Sequence, residues 1–113
     1  MIYRIAEQAD WLQTQQRGYF VSADLAAEGF IHGSELHQVL RTANKYYRGK
    51  TSLLLLEIDD ALLGDNVIRE DLTGSGMHFP HIYAPVPIQA IVRHFDFAED
   101  ATRGFSLPAE IDT

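Results

Sequence analysis

The feature that most restricts the fold of this chain is a nearly unbroken apolar run at residues 51–58. Four consecutive leucines at 53–56 are followed by Glu57 and Ile58. Such a run is typical of a strand whose two faces are both buried, so it predicts the central strand of a sheet that is covered on both sides. The run is far too short to cross a bilayer, and we expect no membrane association.

Weaker strand patterns lie on both sides of this run, whereas helical patterns are confined to the first half of the chain. Extended or alternating stretches predict strands at residues 1–6, 66–71 (an edge strand), 81–84 and 88–97. Helical spacing predicts helices at 7–16, at 22–29 and, longest of the three, from Ser34 onward. Because strands and helices do not alternate regularly, the order favours an α+β fold with small split antiparallel sheets flanked by helices, not a doubly wound parallel sheet.

The longest helical pattern has a continuous apolar face. Ser34 is predicted to be its N-cap, and Gly49 is its natural end. Gln38 is expected to point away from the apolar face. The residues of that face are Leu36, Val39, Leu40, Ala43, Tyr46 and Tyr47.

The length of the chain and its lack of cysteine limit the class of protein. A chain of 113 residues predicts one domain, over residues 1–113, with a core that needs no metal or disulfide. The absence of cysteine excludes disulfide scaffolds, zinc ribbons and thiol catalysis. From about residue 98 the chain is polar, and this C-terminal tail is predicted to wrap around the domain or to fray.

The chain is acidic, with a formal net charge of −7. Nonspecific binding of nucleic acid depends on neutralising phosphates, so we expect no nucleic-acid partner. A small phosphorylated ligand in a locally positive site stays open. The first residues contain neither an apolar signal core nor an amphipathic leader, which favours a cytoplasmic protein.

Two short segments that are distant in the chain carry the most reactive side chains. Phe30 and His32 share one side of an extended stretch, and His81 and Tyr83 share one side of another. If the segments are neighbours, two imidazoles and a phenol line one cleft that suits a flat base and ribose hydroxyls. The alternative is that both histidines are satisfied core residues and that Tyr83 is a core aromatic with its hydroxyl at the rim.

The histidines also raise the question of a metal site. Four of the five histidines fall in two pairs, His32 with His37 and His78 with His81. Neither pair has same-face helical spacing, and no third carboxylate follows at a recognisable distance. We therefore predict no metal, and a metal-dependent hydrolase that uses His32, His78 and His81 is kept as an alternative.

Three other polar residues are candidates for chemistry. Ser34 adjoins a helix N-terminus, where free N–H groups can bind an anion, but helix capping alone explains this residue. Glu57 lies within the apolar strand, and Glu70 follows Arg69. Either glutamate could act as a general base, but a solvated or ion-paired side chain is the simpler interpretation.

Four motifs within residues 1–97 carry a family resemblance. They are Ile2-Tyr3-Arg4-Ile5 with Trp11, Gly29-Phe30-Ile31-His32-x-Ser34 with Gln38, Leu54-Leu55-Leu56-x-Ile58-Asp59, and Phe79-Pro80-His81-Ile82-Tyr83. With these motifs the chain resembles a small bacterial family, domain of unknown function 952. The second and fourth motifs together are the most specific part of the resemblance.

The resemblance implies a compact ADP-ribosyltransferase-like fold with a cleft for NAD or an ADP-ribosylated group. In that superfamily a strand histidine followed by glycine and serine contacts the ribose, and His32, Gly33 and Ser34 match this pattern. A later tyrosine stacks on the nicotinamide. Tyr83 is the matching residue, with His81 beside it.

One part of the superfamily pattern has no match in this chain. Many of these transferases carry a catalytic glutamate after the tyrosine, but here only Glu99 and Glu110 follow Tyr83, both in the polar tail. This departure argues against transfer to protein. The RNA 2′-phosphotransferase branch works without that glutamate but needs basic residues for RNA, and this chain is acidic.

The leading hypothesis is therefore a domain that binds NAD or a related ADP-ribosyl nucleotide, with transferase or hydrolase chemistry left open. The predicted catalytic residues are His32, His81 and Tyr83. The predicted binding residues are His32, Gly33, Ser34 and Tyr83. The glycine-containing loop at 72–79 is a candidate lid. A binding module without chemistry and a metal-dependent hydrolase are the alternatives.

Overall fold

A computed structural model describes residues 1–111 of the chain. In this part the helices are α1 (Gln8–Arg17), α2 (Ala23–Glu28) and α3 (Val39–Tyr46). The strands are β1 (Ile2–Glu7), β2 (Tyr19–Phe20), β3 (Ile31–His32), β4 (Leu53–Ile58), β5 (Val67–Glu70), β6 (Phe79–Ile82), β7 (Val86–Pro87), β8 (Ile91–Phe97), β9 (Glu99–Asp100) and β10 (Gly104–Phe105). Short 3₁₀ turns occur at Leu36–Gln38, Asp60–Asn66 and Ile88–Ala90.

The strands of residues 1–111 form small sheets in which every pair is antiparallel. The central sheet has the order β1-β4-β8, and the outer sheet has the order β3-β6-β5. Two-stranded pairs join β2 to β7 and β9 to β10. The fold is a mixed α+β arrangement of small antiparallel sheets with few helices, as the order of the elements predicted.

The central strand β4 is buried at every position, which confirms the expectation from its apolar run. Alternation along β1 and β4 sends neighbouring side chains to opposite faces, so each face of the central sheet has its own core. The first core contains Ile2, Ala6, Trp11, Phe20, Ile31, Leu54, Leu56, Ile58, Leu63, Ile82, Val86 and Ala90. The second contains Tyr3, Ile5, Val39, Ala43, Leu53, Leu55, Phe95, Phe97, Phe105 and Ile111.

The outer sheet is attached to the central sheet through the backbone at Ser34. The N–H of Tyr3 donates to the Ser34 carbonyl at 2.8 Å, and the N–H of Ser34 donates to the Tyr3 carbonyl at 2.8 Å. Ile31 and Ile82 lie opposite each other in the outer sheet and are completely buried in the first core. One face of the outer sheet therefore packs inward, and its other face is left for polar side chains.

The prediction that Ser34 caps the long helix is wrong. Because its backbone pairs with Tyr3, Ser34 still belongs to the extended chain, and the helical segment begins after Glu35. Glu35 and Gln38 form a capping box, in which the Glu35 N–H donates to Gln38 Oε1 at 3.0 Å. Helix α3 ends at Tyr46, three residues before the predicted end at Gly49.

Gln38 also lies differently from its prediction. Its side chain is buried, and its Nε2 donates to the His78 carbonyl at 2.9 Å. The reason is the 3₁₀ turn, which does not follow the α-helical spacing from which the direction of Gln38 was derived.

Residues 99–111 pack against the domain and make apolar as well as polar contacts. Strands β9 and β10 form a hairpin, and Phe105 stacks on Phe97 with ring centroids 5.1 Å apart. Phe105 and Ile111 are buried in the second core. The tail thus completes the cover of the central sheet because it supplies two apolar side chains to that face. No helix of residues 1–111 has the length and apolar character needed to cross a membrane.

Candidate functional site

Strand register brings the two predicted segments together on the outward face of the outer sheet. His32 of β3 lies directly opposite His81 of β6, and His81 lies opposite Ile68 of β5. Residues that oppose each other in antiparallel strands point to the same face, as do residues two apart along one strand. The face, called here the histidine face, carries Phe30, His32, Ile68, Glu70, Phe79, His81 and Tyr83.

His81 and Tyr83 share one carboxylate oxygen of Glu70. His81 Nδ1 lies 2.8 Å from Glu70 Oε1, and the Tyr83 hydroxyl donates to the same oxygen. These hydrogen bonds, first from Tyr83 and then from His81, hold the pKa of Glu70 below its ordinary value. The same contact raises the pKa of Tyr83. Glu70 is therefore the ionised acceptor of this group.

His32 is held by Asp24 of helix α2. Asp24 Oδ2 lies 3.0 Å from His32 Nδ1 and accepts from the His32 backbone N–H at 2.9 Å. Arg4 donates to the same oxygen at 2.7 Å. Burial alone would raise the pKa of Asp24, but the hydrogen bonds from His32 and the charge of Arg4 outweigh it and hold that pKa well below its ordinary value.

The ring of Phe30 contacts both His32 and His81. Its ring stacks on the His81 ring with centroids 4.1 Å apart, and it lies 5.4 Å from the Tyr83 ring. The rings of His32 and His81 are themselves 5.6 Å apart and nearly perpendicular. Their exposure differs: 46% of the His32 side chain is accessible, against 8% of the His81 side chain. The histidine face thus offers one open and one covered imidazole.

Gly33 and Ser34 have structural partners away from this face. A Cβ on Gly33 would lie 3.0 Å from the Pro80 carbonyl oxygen, so glycine permits the close approach of β3 and β6. Ser34 is buried, and its Oγ lies 3.2 Å from the Thr42 hydroxyl of α3. Of the predicted site residues, His32, His81 and Tyr83 come together, whereas the Ser34 hydroxyl is directed to α3.

The two glutamates considered as general bases have different surroundings. Glu57 is buried and paired with Arg93 and Tyr3, as the ion-paired interpretation expected. Glu70 instead contacts His81 and Tyr83, so the same interpretation misses its place in the site. Alternation shows that Glu70 shares a face with Ile68, but no sequence signal tells which segment that face meets. Sequence reasoning also missed Asp24 and Arg4, because no sequence signal shows that they meet His32.

The histidines of residues 1–111 do not form a recognisable metal site. No group of three or more His, Asp or Glu side chains in this part of the chain is arranged to hold a metal ion. His37 and His78 are both exposed. The alternative of a metal-dependent hydrolase therefore has no ligand set here.

Two grooves lie away from the histidine face, at the end of β1 where Glu7 pairs with Leu53. Their volumes are about 420 Å³ and about 680 Å³. Both are lined by Gln8, Lys50, Thr51 and Ser52. Ser52 has a φ of 58°, which is unusual for a residue other than glycine. The cluster of imidazoles and these two grooves are thus separate features.

Comparison with known proteins identifies relatives over almost the whole chain. A family model described as protein of unknown function (DUF952) matches residues 5–94. The crystal structure of protein CC0527 from Caulobacter crescentus matches with a TM-score of 0.85 and 36% identity, covering 93% of this chain and 92% of that one. Its solution NMR structure matches with a TM-score of 0.80 and 37% identity, covering 92% and 89%. No curated protein matches the chain.

Proposed function

The chain belongs to the family of proteins of unknown function DUF952, and we propose that this member binds NAD or a related ADP-ribosyl nucleotide on its histidine face. The observation that carries the proposal is the meeting of His32, His81 and Tyr83, from two distant segments, on one face of the outer sheet. The motif resemblance, which includes the ADP-ribosyltransferase-like fold, separately assigns ribose contact to His32 and stacking to Tyr83.

The accessible parts of the histidine face suit a ribose with an attached flat ring. The open imidazole of His32 can hydrogen-bond to ribose hydroxyls, and the half-exposed phenol of Tyr83 offers an aromatic surface. The charges on this face suit a diphosphate less well. Asp24 and Glu70 are negative, and Arg4 is already bound to Asp24. We therefore place the nicotinamide riboside half on the histidine face and leave the diphosphate towards solvent.

His81 supplies the proposed acid–base group. A histidine changes its protonation near neutral pH, and a neighbouring carboxylate orients the ring. Glu70 is that carboxylate for His81, with its Oε1 2.8 Å from His81 Nδ1. Transferase or hydrolase chemistry on the bound nucleotide is thus compatible with the residues on this face.

Titration calorimetry with NAD and with ADP-ribose tests the proposal. We expect saturable heat with the natural chain and an affinity lowered roughly tenfold by His32→Ala, because a ribose hydrogen bond is lost. His94→Gln is the matched control. His94 lies on β8, in the central sheet, and its ring packs against Trp11 and not against the histidine face. The absence of heat with both ligands at about millimolar concentration would refute the proposal.

A binding module without chemistry is the second candidate. It is favoured by the position of His81, which is only 6% exposed and lies beneath Phe30. Incubation of NAD with the protein, followed by chromatography of the nucleotide, distinguishes the two candidates. Bound but unaltered NAD supports the binding module, whereas release of nicotinamide supports catalysis.

A further inference from the structure

We infer that Glu70 is a positioning residue, which fixes His81 in the tautomer that carries its proton on Nδ1 and holds the Tyr83 hydroxyl at the same oxygen. His81 then presents Nε2 to a ligand as a proton acceptor. The role of Nε2 as proton acceptor rests on the proposed function. The tautomer of His81 does not, because it is a property of the protein without ligand.

The chemistry of the carboxylate determines the direction of both hydrogen bonds. Glu70 Oε1 lies 2.8 Å from His81 Nδ1 and also contacts the Tyr83 hydroxyl. An ionised carboxylate has lone pairs but no proton, so both partners must donate to it. A neutral imidazole carries one proton. If that proton is on Nδ1, then Nε2 has the free lone pair.

The second nitrogen of His81 is available. No hydrogen bond to His81 Nε2 occurs among residues 1–111, and Arg4 Nε is the buried side-chain polar atom of this part that lacks a partner. His81 Nε2 therefore keeps a small contact with solvent even though most of the ring is covered. A ligand would approach His81 at this nitrogen.

His32 is bound differently, which makes the two imidazoles unequal. Its Nδ1 lies 3.0 Å from Asp24, and its Nε2 lies 3.7 Å from Glu28, which is too far for a hydrogen bond but places a second negative charge beside that nitrogen. His81 has a carboxylate at one nitrogen only. His32 Nε2 can therefore still hydrogen-bond to a ribose hydroxyl, whereas the second nitrogen of His81 is the one with no carboxylate paired to it among residues 1–111.

The proton transfer that this arrangement permits is simple. A hydroxyl group of the bound ribose gives its proton to His81 Nε2, so that the O–H bond breaks, an N–H bond forms, and the electron pair with its negative charge stays on the ribose oxygen. The imidazolium produced keeps its proton on Nδ1, and the negative charge of Glu70 stabilises it. The proton returns to the ligand or to solvent in a later step.

Long-range ¹H–¹⁵N correlation spectra of the full chain labelled at histidine test the inference without any ligand. At a pH where His81 is neutral, we expect the Nδ1–H form to be the major one in the natural chain. In Glu70→Ala the Nε2–H form should become a substantial fraction. Glu70→Gln should restore the natural tautomer in part, because the amide oxygen can still accept. Glu28→Gln is the matched control, since it changes a carboxylate next to His32 but not next to His81.

The possible outcomes separate this inference from the proposed function. An Nε2–H form of His81 in the natural chain, or the same tautomer in Glu70→Ala as in the natural chain, would overturn the inference whether or not NAD binds.

If Glu70→Ala does not fold, Glu70→Gln with an NMR titration of the Tyr83 hydroxyl decides instead. The pKa of Tyr83 should fall towards its ordinary value, and no change would overturn the inference. The expected tautomer without any NAD binding would refute the proposed function alone.

Discussion

Two groups in this molecule are built from a tyrosine and a glutamate that lie on, or directly after, neighbouring strands, and they differ in the third member. In the central sheet, the Tyr3 hydroxyl donates to Glu57 at 2.7 Å, and Arg93 donates to both oxygens of that carboxylate at 2.7 and 3.0 Å. In the outer sheet, the Tyr83 hydroxyl donates to Glu70, and His81 Nδ1 lies 2.8 Å from the same carboxylate oxygen. We call these the arginine group and the histidine group.

The third member and the degree of burial decide what each group can do. Arginine does not release its proton in proteins, so the arginine group cannot exchange one. Tyr3 is also buried, and burial together with Glu57 raises its pKa to about 12. Imidazole does change protonation near neutral pH, and Tyr83 is 39% exposed. The same pair of side chains is therefore a structural link in one sheet and a candidate site in the other.

Removal of the central carboxylate should show the largest difference between the groups. Glu57→Ala leaves Arg93 and the buried hydroxyl of Tyr3 without their partner. Because Arg93 is half exposed, we expect a loss of about 2 kcal/mol of unfolding free energy, at the lower end for broken ion pairs. Glu70→Ala should change stability much less. Urea denaturation of both variants measures the difference, and equal losses would contradict the comparison.

Acid should weaken the arginine group in a defined pH range. Hydrogen bonding to Arg93 outweighs burial and lowers the pKa of Glu57 from its ordinary value of 4.5. A carboxyl group with a lowered folded-state pKa stabilises the fold above its ordinary pKa and loses this contribution as the pH falls through the folded-state value. Asp24 behaves likewise.

Urea denaturation from about pH 5 downward measures this loss. The natural chain should lose stability with a steeper dependence on pH than Glu57→Gln, which lacks the titrating group. Parallel curves for the two proteins would show that Glu57 has no lowered pKa.

A smaller effect is expected from Gly33→Ala, at the point where β3 and β6, the strands that carry His32 and His81, come into close backbone contact. In Gly33→Ala the new Cβ would lie 3.0 Å from the Pro80 carbonyl oxygen, so β3 must move slightly from β6. We expect a loss of about 1 kcal/mol in unfolding free energy from this overpacking. The NMR signals of His32 and His81 should shift, and those of His94 should not. Unchanged signals of His32 and His81 would show that the spacing of the strands does not position them.

The smallest expected effects come from removing one hydroxyl at a time. Tyr3→Phe should cost about 0.5 kcal/mol, because a buried carboxylate loses one donor but keeps Arg93. Tyr83→Phe should leave stability nearly unchanged, and because the aromatic surface is kept it should change NAD binding little. Thermal denaturation and calorimetry of the two variants measure both properties. A stability loss in Tyr83→Phe as large as in Tyr3→Phe would make the histidine group structural as well.

Much of the local structure could be predicted from the sequence. The helix α1 and the strands β1 and β4 lie within one or two residues of their predictions, and Gly29 ends α2 as expected. Predictions failed where one segment depends on another. Ser34 pairs with Tyr3 and does not cap a helix, and Gln38 is buried and donates to the His78 carbonyl, which its predicted helical position did not indicate.

The sequence by itself determined which residues of each short segment share a side. Phe30 with His32, and His81 with Tyr83, follow from the alternation of an extended backbone, which is a local property of the chain. Only the tertiary structure decided that the two sides are one face, that Glu70 stands beside His81, and that Asp24 and Arg4 hold His32. Register between strands depends on the packing of segments far apart in sequence, and no periodicity within either segment contains that information.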